Sequence, residues 1–434
     1  GHIQALTNGS SRAVEIQRQL MPVMLGWFAE GPNPDFGLLA FRQLSEALGA
    51  SSWYLRALRD EGWMAQRLAH IASSSRYVVN LLMRAPEMVQ MLAHSENLEL
   101  RPRDLLSRSM SRDIERASDR AAAVASVRAL RRSELCRIAL ADVLGAADVT
   151  TVGLALSDLA GATLDAALEL ARREVEAPPV GVIGMGRWSG CELGYASDTD
   201  AMFVIPDGSG PEEQAAATRL VRLACDLVGK PGPEPAMVVD AGLRPEGKGG
   251  PLVRTVSSYL TYYAKWSSVW EAQALLRARP AAGEQELASA VLGELGGLRY
   301  PDGGLTTAQV AEIRRLKSRM ENERIPRGMD KERHLKLGSG GLSDVEWAVQ
   351  LLQLQHAGTR SALRTPSTLQ AIDAAEGLEL LTAEQAVDLR EGWLHVSRVR
   401  NAIMLVRGRP GDALPVDYRE QSAVAELAGY DPGQ

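Results

Sequence analysis

The apolar run Ala201-Met202-Phe203-Val204-Ile205 is preceded by Asp198-Thr199-Asp200 and closed by Pro206-Asp207-Gly208. An apolar run this short, ended by a turn signal, reads as a buried strand. Side chains at i and i+2 of a strand share a face about 6.5 to 7 Å apart, so Asp198 and Asp200 point the same way at one end of it. Two such carboxylates repel each other and raise one pKa, and a cation is their natural partner. They can converge on one ion, or share two about 3.5 to 4 Å apart. Hard oxygen donors of this kind favour Mg2+, which keeps some waters and completes its shell with substrate phosphates. Taken alone, Asp-x-Asp reads equally as a surface turn capping a strand.

A third acid bears on the choice. Ala236-Met237-Val238-Val239-Asp240 is a second short apolar stretch ending in an aspartate, and Leu243-Arg244-Pro245-Glu246-Gly247-Lys248-Gly249-Gly250 follows it. Two strands that each deliver acid at one end can build a three-carboxylate metal site from Asp198, Asp200 and Asp240. The backbone of a glycine-rich loop carrying Arg244 and Lys248 can approach phosphate oxygens closely, although such a loop by itself is more often a solvated turn. Upstream, Gly184-Met185-Gly186-Arg187-Trp188-Ser189 imitates a dinucleotide fingerprint. Its third glycine is replaced by Ser189, however, and the next strand arrives within about fifteen residues where a βαβ unit needs about thirty. A dehydrogenase is therefore rejected, and no Walker A sequence is present.

The stretch from Gly184 to Asp200, Gly-x-Gly-Arg-Trp-Ser-Gly-x-Glu-Leu-Gly-Tyr-x-Ser-Asp-x-Asp, resembles the signature of the glutamine synthetase adenylyltransferase family, within the DNA polymerase β-like nucleotidyltransferases. Three further segments are similar to that family: Asp240 to Arg254, Tyr259 to Arg279, and Lys336-Leu337-Gly338-Ser339-Gly340-Gly341-Leu342-Ser343-Asp344-Val345-Glu346. The resemblance covers most of the chain. Family members carry two such halves in tandem, one attaching AMP to glutamine synthetase and one removing it; this sequence carries one copy. Glu192-Leu193-Gly194-Tyr195, together with Gln19-Leu20-Met21-Pro22, Asp35 and Phe41, resembles the attaching, C-terminal half. Ser189 and Gly242 depart from the residues usual in the family, glycine and, in some members, arginine.

The resemblance implies a mostly α, multidomain protein in which a central α/β nucleotidyltransferase domain, polymerase β-like, is flanked by helical domains. Helical apolar spacing in the first and last thirds agrees with this, and 434 residues suit two or three domains. The expected segments are a helical domain at 1–118, the catalytic domain at 119–301 and a helical bundle at 302–434. Within them, a helix from Glu212 to Val228 joins the two aspartate strands. Tyr259, Tyr263, Trp266 and Trp270 recur at helical steps and are read as core. Ser343 with Glu346 three residues later reads as a capping box. His334, His356 and His395 have no ligand spacing. A net charge of −6 is unlike that of a general nucleic-acid binder. Three scattered cysteines match no metal spacing, and no membrane-spanning run or secretory pattern is read. The expectation is a cytoplasmic protein with no nucleic-acid or membrane partner.

The activity so implied is Mg2+-dependent transfer of AMP from ATP to a tyrosine hydroxyl of glutamine synthetase, with a PII-type signalling protein acting on the full-length enzyme. Asp198, Asp200 and Asp240 are the expected catalytic and metal-binding residues. The expected nucleotide contacts are Gly186, Arg187, Ser189, Gly190, Ser197, Arg244, Lys248, Arg277 and Arg279. Salt-bridged surface roles are the default for the two last-named arginines. Two other readings stay open: the adenylyl-removing half, which uses phosphate to release ADP, and a nonenzymatic docking module.

Overall fold

In the computed structural model the described residues are 1–8, 12–49, 51–232 and 234–430. They are mostly helical around one small mixed sheet. Packing gathers the chain into two compact units: residues 1–100, 132–152 and 397–434 form one, and residues 101–131 and 153–396 form the other. These boundaries differ from the consecutive segments 1–118, 119–301 and 302–434 read from the sequence, because side-chain partners come from distant stretches. In the second unit the helix Arg103–Arg116 is tied to later residues by the Arg103–Asp165 ion pair at 2.8 Å and by Ser111 Oγ donating to Glu169 at 3.1 Å.

The first unit is helical. Phe28 and Phe41, both fully buried, meet at 6.1 Å between ring centroids where the helices Arg12–Glu30 and Pro34–Leu48 pack. Ser75 Oγ donates to the Leu405 carbonyl at 2.9 Å, which ties the last turn of the helix Ala383–Arg407 to the first hundred residues.

The second unit holds the sheet, formed by β1 (Gly181–Met185), β2 (Thr199–Ile205), β3 (Val239–Asp240), β4 (Val253–Thr255) and β5 (Ala278–Gly283). The order is β3-β2-β1-β5, with β4 also pairing β2. β1 runs antiparallel to β2 and β5, whereas β3 and β4 run parallel to β2. A parallel neighbour needs a crossover, which the helix Pro211–Gly229 supplies between β2 and β3. Its buried residues Ala216, Ala217, Leu220, Val221, Ala224 and Val228 form one apolar stripe. From Ala201 to Ile205 every residue of β2 is buried, as expected of a strand covered on both faces.

Ile183, Met185, Met202 and Val204 of β1 and β2 pack with Tyr259, Tyr263, Leu275 and Val291 in one core cluster. The aromatic expectation holds for only half its members. Tyr259 and Tyr263 are buried, but Trp266 is 73% and Trp270 40% exposed. The cause is a break at Ser267-Ser268, where one helix ends at Trp266 and the next starts at Val269. A second core joins the helices Leu342–His356, Thr368–Gly377 and Ala383–Arg407 around Val345, Ile372 and Trp393. The expected capping box is corrected: Gly341 is the N-cap, Ser343 Oγ has no partner among the described residues, and Glu346 pairs with arginines instead. One helix, Val149–Arg172, is long and apolar enough to cross a membrane, unlike the sequence expectation that none is. Since 78% of its apolar window is buried inside the protein, it serves as a core helix.

Candidate functional site

Register places the acids. Thr199 pairs with Val239 and Asp200 with Asp240 across the parallel β2–β3 ladder, so two aspartates sit side by side on neighbouring strands. Asp198 lies one residue before β2 and is exposed. Burial is the main cause that pushes the Asp200 carboxyl up to about 6, and the charges of Asp240 and then Asp198 push the same way. Lys336 and Arg277 pull it back. Asp240 Oδ1 accepts the Gly242 N–H at 2.8 Å, which fixes its rotamer against its own loop.

The turn after β1 meets this pair. Gly186 has φ +54°, and a Cβ built there would lie 2.6 Å from Asp200 Oδ2. Only glycine combines that backbone with that contact. Trp188 is fully buried and donates Nε1–H to the Ser157 carbonyl at 3.1 Å, anchoring the turn from beneath. Cys191, at φ 59°, leaves the turn in a left-handed conformation that costs a non-glycine residue energy.

Several residues expected to touch nucleotide are instead bound within the protein. Arg277 is buried. Its Nε donates to the Gly186 carbonyl at 3.1 Å, Nη1 donates to Thr368 Oγ1 at 3.2 Å and lies 3.2 Å from Glu346, and Nη2 pairs with Glu192. Burial alone would lower this guanidinium's pKa, but Glu192 and Glu346 more than offset that and leave it raised. In this arrangement Arg277 braces the turn, and a phosphate would engage it by displacing one of these buried partners. Arg279 is also a brace, with Nε donating to the Ser189 carbonyl at 2.8 Å and Nη2 to the Trp188 carbonyl at 3.3 Å. Arg187 donates Nε–H to the Glu192 carbonyl at 2.7 Å and lies over the Trp393 ring.

Ser189 is 1% exposed, and its Oγ has no partner among the described residues. Ser197 Oγ accepts the Gly194 N–H at 3.0 Å and shapes the loop before Asp198. A Cβ at Gly190 would lie 2.7 Å from Arg277 Nη2 and 2.9 Å from the Pro366 carbonyl, so Gly190 permits close packing. Arg244 donates to the carbonyls of Ala241, Lys248 and Gly250 and thereby rigidifies the loop after Asp240. Lys248 on that loop is exposed and makes no ion pair among the described residues.

The sequence reading did not nominate Lys336, Glu192 or Glu346. Lys336, which opens the 336–341 glycine turn, is an exposed lysine whose positive charge lowers the Asp200 pKa. His334, buried, fixes that turn: its Nδ1 accepts the N–H groups of Lys336 and Leu337 at 3.3 and 3.1 Å. The available signal was that Lys336 opens a glycine-rich motif and Glu192 sits within the Gly184–Asp200 stretch.

Among the described residues, no three His, Cys, Asp or Glu side chains form a group that could hold a metal ion by themselves. The donor chemistry nevertheless fits Mg2+, which needs only one or two carboxylates when water and phosphate fill the remaining positions. Asp200 supplies a further reason, since it is a partly buried carboxylate whose nearest acids add to the negative potential rather than relieve it.

A family model described as glutamate-ammonia ligase adenylyltransferase matches residues 65–294, more than half of the chain. A second, described as GlnD PII-uridylyltransferase, matches residues 309–434. Curated proteins named bifunctional glutamine synthetase adenylyltransferase/adenylyl-removing enzyme are similar throughout. That of Cutibacterium acnes is 55% identical over 433 residues, covering 100% of this chain and 44% of the relative. The Streptomyces coelicolor protein is 47% identical over 454 residues (100% and 45%), and the Mycobacterium tuberculosis protein 46% over 442 (99% and 44%). The chain thus spans about half the length of the curated relatives it matches.

Proposed function

Because the chain belongs to the glutamate-ammonia ligase adenylyltransferase family, we propose that it transfers AMP from ATP to a tyrosine hydroxyl of glutamine synthetase. The observation that carries this reading is the Asp200–Asp240 register pair, with the Gly186 turn pressed against the Asp200 carboxylate. Phosphates of ATP lie over the Gly186–Gly190 turn, and Lys336 and Lys248 offset their charge. Asp200 and Asp240 would hold Mg2+, with Asp198 adding negative potential beside them; when bound, the ion would supply charge neutralisation on the phosphates and ease ionisation of the acceptor hydroxyl.

Asp240, held by Gly242, orients the incoming hydroxyl and draws off its proton. The hydroxyl oxygen bonds to the α-phosphorus, the bond to the bridging oxygen breaks opposite it, and pyrophosphate departs with that oxygen. Arg277 and Arg279 keep the turn in place without touching the nucleotide. The test is incorporation of label from α-labelled ATP into unmodified glutamine synthetase. The chain is expected to label it, and Asp200→Asn to abolish labelling while remaining folded; no incorporation by the unaltered chain would overturn the reading.

The adenylyl-removing reaction is the second reading, favoured by the double name of the relatives and the half-length match. Here a phosphate oxygen bonds to the phosphorus of tyrosine-bound AMP, the bond from that phosphorus to the tyrosine oxygen breaks, the tyrosine regains its proton, and ADP is the product. Release of ADP from adenylylated glutamine synthetase supplied with phosphate would establish it. The match of residues 309–434 to a PII-uridylyltransferase model supports a PII-type protein as a regulatory partner, to be tested by PII-dependent change in the labelling rate.

A further inference from the structure

Glu192 is 6% exposed, yet its two oxygens gather four donors. Oε1 accepts the backbone N–H and side-chain hydroxyl that begin the 368–377 helix, from Thr368 and Ser367. Oε2 accepts Arg277 Nη2 and, at 3.0 Å, Thr368 Oγ1. Glu346 Oε1 lies 3.2 Å from Arg277 Nη1 and 3.7 Å from Arg187 Nη1. Two arginines and two glutamates therefore form a nearly neutral cluster, one arm of which ends on the Gly186 carbonyl through Arg277 Nε.

A buried ion cluster is a weak source of stability, since desolvation cancels much of the attraction, while loss of one member leaves an uncompensated charge. What the cluster does supply is direction. The guanidinium plane of Arg277 is fixed by two carboxylates, and its Nε holds the carbonyl of Gly186, the residue where any Cβ would collide with Asp200 Oδ2. We infer that Glu192 and Glu346 are positioning residues that set the nucleotide turn through Arg277, so that the stretch from Glu346 to Thr368 is part of the working site. This stretch lies outside the 65–294 family match and inside the PII-uridylyltransferase match. The inference rests on the nucleotide reading given above.

The test compares Glu192→Gln, Glu346→Gln and Thr368→Val with the unaltered chain, using calorimetric binding of ATP with Mg2+ and steady-state labelling of glutamine synthetase. Misplacing a positioning group costs on the order of tenfold to a hundredfold. Glu192→Gln and Glu346→Gln are expected to weaken ATP binding and raise KM for ATP within that range, with KM for glutamine synthetase unchanged. Thr368→Val, which removes one neutral partner, is expected to give a smaller shift in the same direction and decides the matter if the glutamine variants fail to fold. Folded variants that bind ATP as tightly as the unaltered chain would overturn the inference. If the unaltered chain binds ATP but labels nothing, the reaction assignment fails while the binding comparison still stands.

Discussion

Gly186 leaves room for Asp200 Oδ2: a methyl group added at position 186 would lie 2.6 Å from that oxygen. Gly186 opens the turn after β1 and Asp200 lies in β2, so a side chain at 186 would have to displace the carboxylate. Gly186→Ala carries two penalties, a φ of +54° that alanine resists and the displaced carboxylate. We expect a loss of about 1–2 kcal/mol in stability and a fall in AMP transfer of roughly a hundredfold. Denaturant midpoints and labelling rates check these separately, and a fully active Gly186→Ala would refute this collision.

Asp200→Asn is expected to raise stability near pH 8 while abolishing transfer. The sign follows from the carboxyl's pKa, which is higher in the folded state, about 6, than in the unfolded chain. Its contribution to stability is greatest below the unfolded value, near 3.9, and is lost as pH rises through 6. Above pH 6 the native state therefore bears an unfavourable charge that asparagine removes, a gain of at most about 3 kcal/mol. Melting curves from pH 4.5 to 8 should show the variant's advantage growing with pH in chelator, then shrinking when Mg2+ is added to the parent chain.

Lys336→Met should weaken ATP binding and move the pH dependence of Mg2+ binding upward. The lysine lowers the Asp200 pKa, so its removal leaves the carboxyl protonated to a higher pH, and metal must compete with that proton. Calorimetric Mg2+ titrations between pH 5.5 and 8 would reveal the shift. An unchanged profile would place the 336–341 turn too far from the acids to act on them.

Two tryptophans should behave oppositely. Trp393 is 2% exposed in the helical core, and Trp393→Ala is expected to cost about 3–5 kcal/mol. Trp266, 73% exposed, should change stability by less than about 0.5 kcal/mol when replaced by alanine. Chemical denaturation of both variants checks the contrast.

Much of the scaffold could be read along the chain because its signals are local. The β2 run, the crossover helix at 211–229 and the position of Asp240 at a strand end all follow from apolar spacing and turn residues within about twenty positions. What could not be read is where side chains find partners. Arg277 looks like any cation near a phosphate turn until Glu192, Glu346 and Thr368 surround it, and Glu192 meets Thr368 across 176 positions. The same distance effect hid Lys336, whose relation to Asp200 depends on tertiary packing alone. The misplaced cap at Ser343 has a related cause: Glu346 satisfied the local pattern, but the buried arginines are stronger partners than a backbone N–H. Periodicity alone carries Trp266 onto the core face, but the helix stops there and Ser268 with Glu271 caps the next one.

The β3 strand is only two residues long and lies at the end of the sheet order, yet it carries Asp240 to its place opposite Asp200. Fraying of so short an edge requires few ladder bonds to open, far fewer than melting the domain. Mild denaturant or modest warming would therefore disarm the chemistry while most of the molecule stays native. Inactivation would precede the loss of helical signal.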